Sequence, residues 1–128
     1  MMIREACRAG TFYAADPKEC REDVIQCLQD AGQGADLPEV IHGGIVPHAG
    51  WIYSGSTAAT TFAAIAARRS PATVVIFGAV HRPMRSDAAV FSRGAWETPL
   101  GTVALDERFA ERLLGATAPL KPSAEAGT

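Results

Sequence analysis

The chain has no apolar stretch near the roughly 18 residues that a membrane helix needs, no C-x-x-C pair and no block of like charge. Each absence removes a class. Without the apolar stretch there is no candidate transmembrane helix, and Met1-Met2-Ile3-Arg4-Glu5 lacks the apolar core of a secretory signal, so the chain reads as cytoplasmic. Cys7, Cys20 and Cys27 are odd in number and wrongly spaced for a disulfide framework or zinc knuckle, so they read as reduced thiols. Twelve basic and fourteen acidic side chains give a net charge of -2, which provides no electrostatic footprint for nucleic acid.

What remains is an ordinary composition for a folded domain. Its 128 residues are 48% hydrophobic, enough to bury a sizeable fraction of the unfolded chain's surface in a single domain spanning 1–128. The segment from about 116 to 128 is rich in Ala, Pro, Ser and Gly, with Leu120 as its one bulky apolar residue, and reads as a flexible tail.

Helical signals are strong in three places. Asp16 is a good N-cap, Pro17 suits the first helical position, Glu19 completes a capping box, and Gly32 is a natural stop. Cys20, Val24, Cys27 and Leu28 share one stripe at helical spacing, where the thiols serve as small apolar groups. Ser54 or Ser56 can cap a second helix running to about Arg69, with Ala59, Phe62, Ala63 and Ala66 on its buried side. Asp106 caps a third, ending at Gly115, whose apolar face carries Phe109, Leu113 and Leu114.

Two apolar runs read as parallel strands. Thr73-Val74-Val75-Ile76-Phe77 is β-branched and aromatic without alternation, the pattern of a central strand covered on both faces. Val40 to Val46 is a second run, interrupted by Gly43 and Gly44, which permit close approach by a neighbour or ligand. Asp87 to Ser92 and Thr102 to Leu105 read as shorter strands, joined as a hairpin through Glu97-Thr98-Pro99-Leu100-Gly101. The alternation predicts an α/β fold with a central, mostly parallel sheet flanked by helices.

Candidate chemistry centres on two histidines. His48 closes Gly43-Gly44-Ile45-Val46-Pro47-His48 and His81 closes Val74-Val75-Ile76-Phe77-Gly78-Ala79-Val80-His81, 33 residues apart. That separation fits one strand-helix-strand unit, which would bring both imidazoles to the sheet edge where open α/β folds keep their ligand crevice. Two imidazoles suit zinc, copper or iron, although a stable site takes a third protein ligand and the sequence offers no obvious one. The alternative for His48 is a loop histidine bonded to backbone. Tyr13, Trp51 and Tyr53 either line a pocket beside the histidines or pack against the sheet, and Arg82 either holds an anionic group or is solvated. His42, inside the Val40 to Val46 run, reads as structural.

Several of these blocks together resemble a known family. Arg4-Glu5-Ala6 with Ala9-Gly10-Thr11-Phe12-Tyr13 is similar to the N-terminal Gly-x-Phe/Trp-Tyr block of the MEMO proteins, called AmmeMemoRadiSam system protein B in prokaryotes. Val46-Pro47-His48-Ala49-Gly50-Trp51-Ile52-Tyr53-Ser54-Gly55 resembles the family's Pro-His-Ala-Gly-Tyr-x-Tyr-Ser-Gly block, the most specific of the set. Ile76-Phe77-Gly78-Ala79-Val80-His81 is similar to the Gly-Pro-Ser-His block, and Trp96-Glu97-Thr98-Pro99-Leu100-Gly101 to the Thr-Pro-Leu block.

The resemblance implies a fold related to LigB-type class III non-haem iron dioxygenases, with iron or copper at His48 and His81. By the same resemblance an AMMECR-domain protein and a radical-SAM protein are the implied partners. Gly78-Ala79-Val80-His81 departs from Gly-Pro-Ser-His by losing a hydroxyl that could hold a ligand or water. The family's Glu-His-Ser block, Asp-x-x-His block and late cysteine ligand fall past Thr128, so the resemblance covers the first half and implies a truncated fold with a partial site. A sheet without its later strands would expose an edge open to self-association. Three readings follow: a partial metal site from an oxygenase-like family, a non-catalytic module binding a peptide or small ligand, or a fragment without independent function.

Overall fold

The computed structural model describes residues 2–32, 36–79, 81, 88–117 and 120–122. In chain order its elements are β1 (Ile3–Arg4), α1 (Pro17–Gln29), α2 (Trp51–Ala66), β2 (Ala88–Val90), β3 (Ala95–Thr98), β4 (Gly101–Ala104), α3 (Glu107–Ala116) and β5 (Leu120–Pro122). They fall into two units, one formed by Arg8–Ala72 and the other by Met1–Cys7 with Thr73–Thr128.

The Arg8–Ala72 unit is a pair of helices with the loops that bind them. Asp16 accepts hydrogen bonds from the backbone N–H groups of Lys18 and Glu19 through one carboxylate oxygen, which with Pro17 fixes the start of α1 as its sequence predicts. The helix ends at Gln29, three residues before Gly32. α2 begins at Trp51 rather than at the predicted serine cap, because Gly50 takes the N-cap position with no side-chain bond. The Phe12 carbonyl serves the Trp51 N–H at 2.8 Å, so a loop satisfies one of the amides that a helix start leaves open.

Ser54 is buried and acts differently from a cap. Its hydroxyl donates to the carbonyls of Ala49 and Gly50, tying the loop before α2 back onto the first turn. At the far end of α2, Arg68 donates to the carbonyls of Leu37 and Pro38 at 3.1 Å each, fixing the segment that follows α1. Where the helices meet, a Cβ on Gly55 would stand only 2.6 Å from Cys27 Sγ, so glycine is what permits their close approach. Cys20 is buried, as its place on the α1 stripe predicts, whereas Leu28 and Phe62 remain 46% and 54% exposed.

In the other unit a small mixed sheet has the order β1-β3-β4, with β1 parallel to β3 and β3 antiparallel to β4. Ala95 is buried at its centre. Gly94 and Gly101 adopt φ values of +93° and +123°, a region that only glycine enters cheaply, and a Cβ on Gly94 would overlap the Met2 carbonyl. The Asp106 carboxylate caps α3 by accepting from the Phe109 N–H at 2.9 Å and also accepts from the Thr73 hydroxyl at 2.6 Å. β2 pairs in parallel with β5, which lies inside the tail whose composition offers little to order it.

The sheet differs from the expectation in two respects. A central, mostly parallel sheet is not what the described residues form: neither Val40 to Val46 nor Thr73 to Phe77 makes a strand, and Ile45 and Phe77 are 97% and 93% exposed. The physical reason is that a strand needs backbone partners beside it, and none pairs with either run among the described residues. Thr102 to Leu105 does enter a hairpin through the predicted turn, but as β4 against β3, while Ala88–Val90 pairs elsewhere. The fold class is thus α/β, the described residues forming three helices, a small mixed sheet and a separate pair of parallel strands.

Candidate functional site

The site begins with a tight turn. Thr11 and Phe12 both donate their N–H groups to the Arg8 carbonyl, the Gly10 N–H donates to the Tyr13 carbonyl, and Gly10 takes a φ of +78° to close the loop. This places Phe12 and Tyr13 beside the start of α2, held there by the Phe12 carbonyl bond to Trp51. Tyr13 and Trp51 stack with ring centroids 5.1 Å apart and planes inclined by 28°. An offset aromatic pair of this kind adds about 0.5–1.5 kcal/mol beyond its area burial.

Beside this stack lies a cavity of about 480 Å³. The turn contributes Arg8, Phe12 and Tyr13; α1 contributes Val24, Cys27 and Leu28; the loop before α2 contributes Val46 to Ala49, including His48; α2 contributes Trp51, Ala58 and Phe62 among others. Its volume is within the roughly 300–1,000 Å³ typical of small-molecule sites. The wall is mostly apolar and aromatic, with Arg8, Tyr13, His48 and Ser54 as its residues that carry polar groups.

Of the residues singled out from sequence, Tyr13, His48 and Trp51 therefore converge on one cavity. His48 reaches it from the loop entering α2 and not from a strand end, since Val40 to Val46 forms no strand. Tyr53 is 85% exposed and does not line the wall. His81 is exposed and belongs to the other unit, and Arg82 lies outside the described residues. His42 is exposed rather than packed in a strand interior.

Sequence reasoning missed Arg8 and the floor that α1 supplies. Arg8 stands immediately before the Ala9-Gly10-Thr11-Phe12-Tyr13 block, and the turn folds it over the Phe12 ring, with its guanidinium carbon 5.1 Å from the ring centroid. Cys27 and Leu28 have the spacing of core residues and do face α2, yet part of that face is left open as cavity. Burial pushes the Cys20 thiol's pKa up, with the Asp23 carboxylate acting in the same direction, so this cysteine is a packing group.

Among the described residues no three His, Cys, Asp or Glu side chains are grouped to hold a metal ion. Nor is any described helix long and apolar enough to cross a membrane.

The family model described as Memo-like protein matches residues 4–126. The chain is 40% identical over 119 residues to a MEMO1 family protein of Methanopyrus kandleri, the match covering 88% of this chain and 42% of that relative. Against MEMO1 family proteins of Methanothermobacter thermautotrophicus and Pyrococcus furiosus it is 39% and 40% identical, over 88% of this chain and 43% and 38% of theirs. The chain spans about two-fifths of the length of these curated relatives.

Proposed function

The chain belongs to the Memo-like protein family, and from that premise we propose that it carries part of a histidine-based ligand site with His48 and His81 as its imidazoles. The observation that carries this reading is the convergence of His48 with the Tyr13–Trp51 stack on one cavity, within the segments that most resemble the family pattern. His81 enters by resemblance alone, through its Gly78-Ala79-Val80-His81 block, because the strands on which the 33-residue spacing relied are not formed among the described residues. Tyr53, 85% exposed and off the cavity wall, takes no part in this reading, and Arg82 lies outside the described residues.

Zinc, copper and iron all accept imidazole donors, and such an ion would supply Lewis-acid or redox chemistry at this site. Two histidines fall short of the three protein ligands that a resident ion takes, and among the described residues no three His, Cys, Asp or Glu side chains are grouped. The chemistry assigned to this chain is therefore binding. Iron or copper chemistry of the class III dioxygenase kind, and assembly with AMMECR-domain and radical-SAM proteins, are proposed for the whole family protein. This chain covers about two-fifths of such a protein.

The apolar wall favours a second reading, a module that binds a small ligand or peptide without metal. Metal content separates the two. The 128-residue chain, purified and loaded with iron, copper or zinc, is expected to retain more of at least one ion than the His48→Ala, His81→Ala double variant. Equal content in both would remove the metal reading, and ligand binding unaffected by chelation would establish the second.

A further inference from the structure

We infer that the Tyr13–His48–Trp51 cavity takes an amphipathic carboxylate, its aromatic or branched apolar body laid against the wall and its carboxylate paired with Arg8. This rests on the reading of that cavity as a ligand site and names the class of ligand. Phe12, Tyr13, Leu28, Trp51 and Phe62 offer a surface that favours a planar or bulky apolar group over a sugar or nucleotide. Among the described lining side chains only Arg8 carries a fixed charge, and it is positive.

Arg8 is also prepared for the contact. Its guanidinium stands over the ring of Phe12, itself a lining residue, a cation–π arrangement that restrains the planar fork beside the cavity. The ion pairs among the described residues are Lys18–Glu22 and Arg93–Glu111, so no described carboxylate of the protein neutralises Arg8. One guanidinium matches one carboxylate in a bidentate pair, whereas a dianionic phosphate would call for further positive charge that this wall does not supply.

The test uses two probes of one shape, 2-naphthoate and its neutral analogue 2-naphthamide, titrated calorimetrically into the full chain. The naphthoate is expected to bind about tenfold more tightly, corresponding to one charge-assisted contact at a partly solvated site. Arg8→Gln should bring the naphthoate down to the amide's affinity while leaving the amide unchanged, a split that a folding defect cannot produce. Ala58→Phe, which fills the cavity, should abolish binding of both. Equal affinity of the two probes for the unaltered chain, or an Arg8→Gln loss shared equally by both, would overturn the carboxylate assignment and leave the cavity as a ligand site. Failure of both probes to bind would overturn the cavity itself.

Discussion

Replacing Gly55 by alanine sets two effects of known size against each other at the contact between α1 and α2. Alanine is favoured over glycine in a helix interior by about 1 kcal/mol, so an open position would gain stability. Gly55 is not open, because the new Cβ would stand 2.6 Å from Cys27 Sγ and 3.4 Å from Trp51 Cβ. Non-bonded carbon contacts settle at about 3.5–4.0 Å, which leaves the sulfur roughly 1 Å too close. Overpacking of this kind costs about 1–3 kcal/mol, so the single variant should be neutral to about 2 kcal/mol less stable.

The Cys27→Ala background reverses the expectation. With the sulfur gone, the added methyl enters vacated space and the propensity gain of about 1 kcal/mol should appear in full. The coupling between the two positions is therefore about 1–3 kcal/mol, well above the few tenths expected of independent sites. Urea denaturation of the four proteins, followed by far-ultraviolet circular dichroism, measures it. If Gly55→Ala stabilises the chain equally with and without Cys27, the two helices do not meet at this point and the account of their packing is wrong.

Three further outcomes follow from the same geometry. Gly94→Ala forces a side chain into left-handed backbone and onto the Met2 carbonyl, so it should destabilise by about 3 kcal/mol or more and unpair β1 from β3, which hydrogen exchange at the Ala95 amide would report. The Thr73 hydroxyl and then the Phe109 amide hold the Asp106 carboxyl below its usual range, so its contribution is full above the unfolded pKa of about 3.9 and is lost as pH falls through the lower folded value. Asp106→Asn should thus be less stable than the unaltered chain at neutral pH and converge with it in acid, as denaturation midpoints between neutral and strongly acidic pH would show. Alkylation by iodoacetamide, followed by mass spectrometry, should label exposed Cys7 first, half-buried Cys27 next, and buried Cys20 last.

The parts of the fold that were legible in the sequence are those set by local chemistry. Asp16 with Pro17, and Asp106 with its following turn, mark helix starts because their oxygens satisfy amides only two or three residues away. The turn between β3 and β4 was readable for the same reason. A cap at Ser54 or Ser56 sets the start of α2 four or six residues late, since its first amide is satisfied by Phe12, a residue far back in the chain that no local pattern reveals. The parallel strands expected at Val40 to Val46 and Thr73 to Phe77 depend entirely on distant partners, and apolar content alone does not pair a backbone. Gly44 shows the same limit from the other side. Its predicted close neighbour exists, and it is Thr61 of α2, whose hydroxyl donates to the Ile45 carbonyl.

The candidate site divides along similar lines. His48, Tyr13 and Trp51 were found from their blocks and do share a cavity, while Arg8 and the α1 floor required the turn at Gly10 and the helix crossing at Gly55. Spacing along the chain suggested a pair of imidazoles, and that pairing is the claim on which the proposed function turns.

Its most direct test is a zinc titration of the ¹⁵N-labelled full chain, observing the imidazole nitrogens of His48 and His81 by nuclear magnetic resonance. The account predicts that both residues shift together and saturate at one ion per chain, and that His48→Ala removes the response of His81. Independent shifts with different midpoints, or a response at one histidine that persists when the other is replaced, would contradict it.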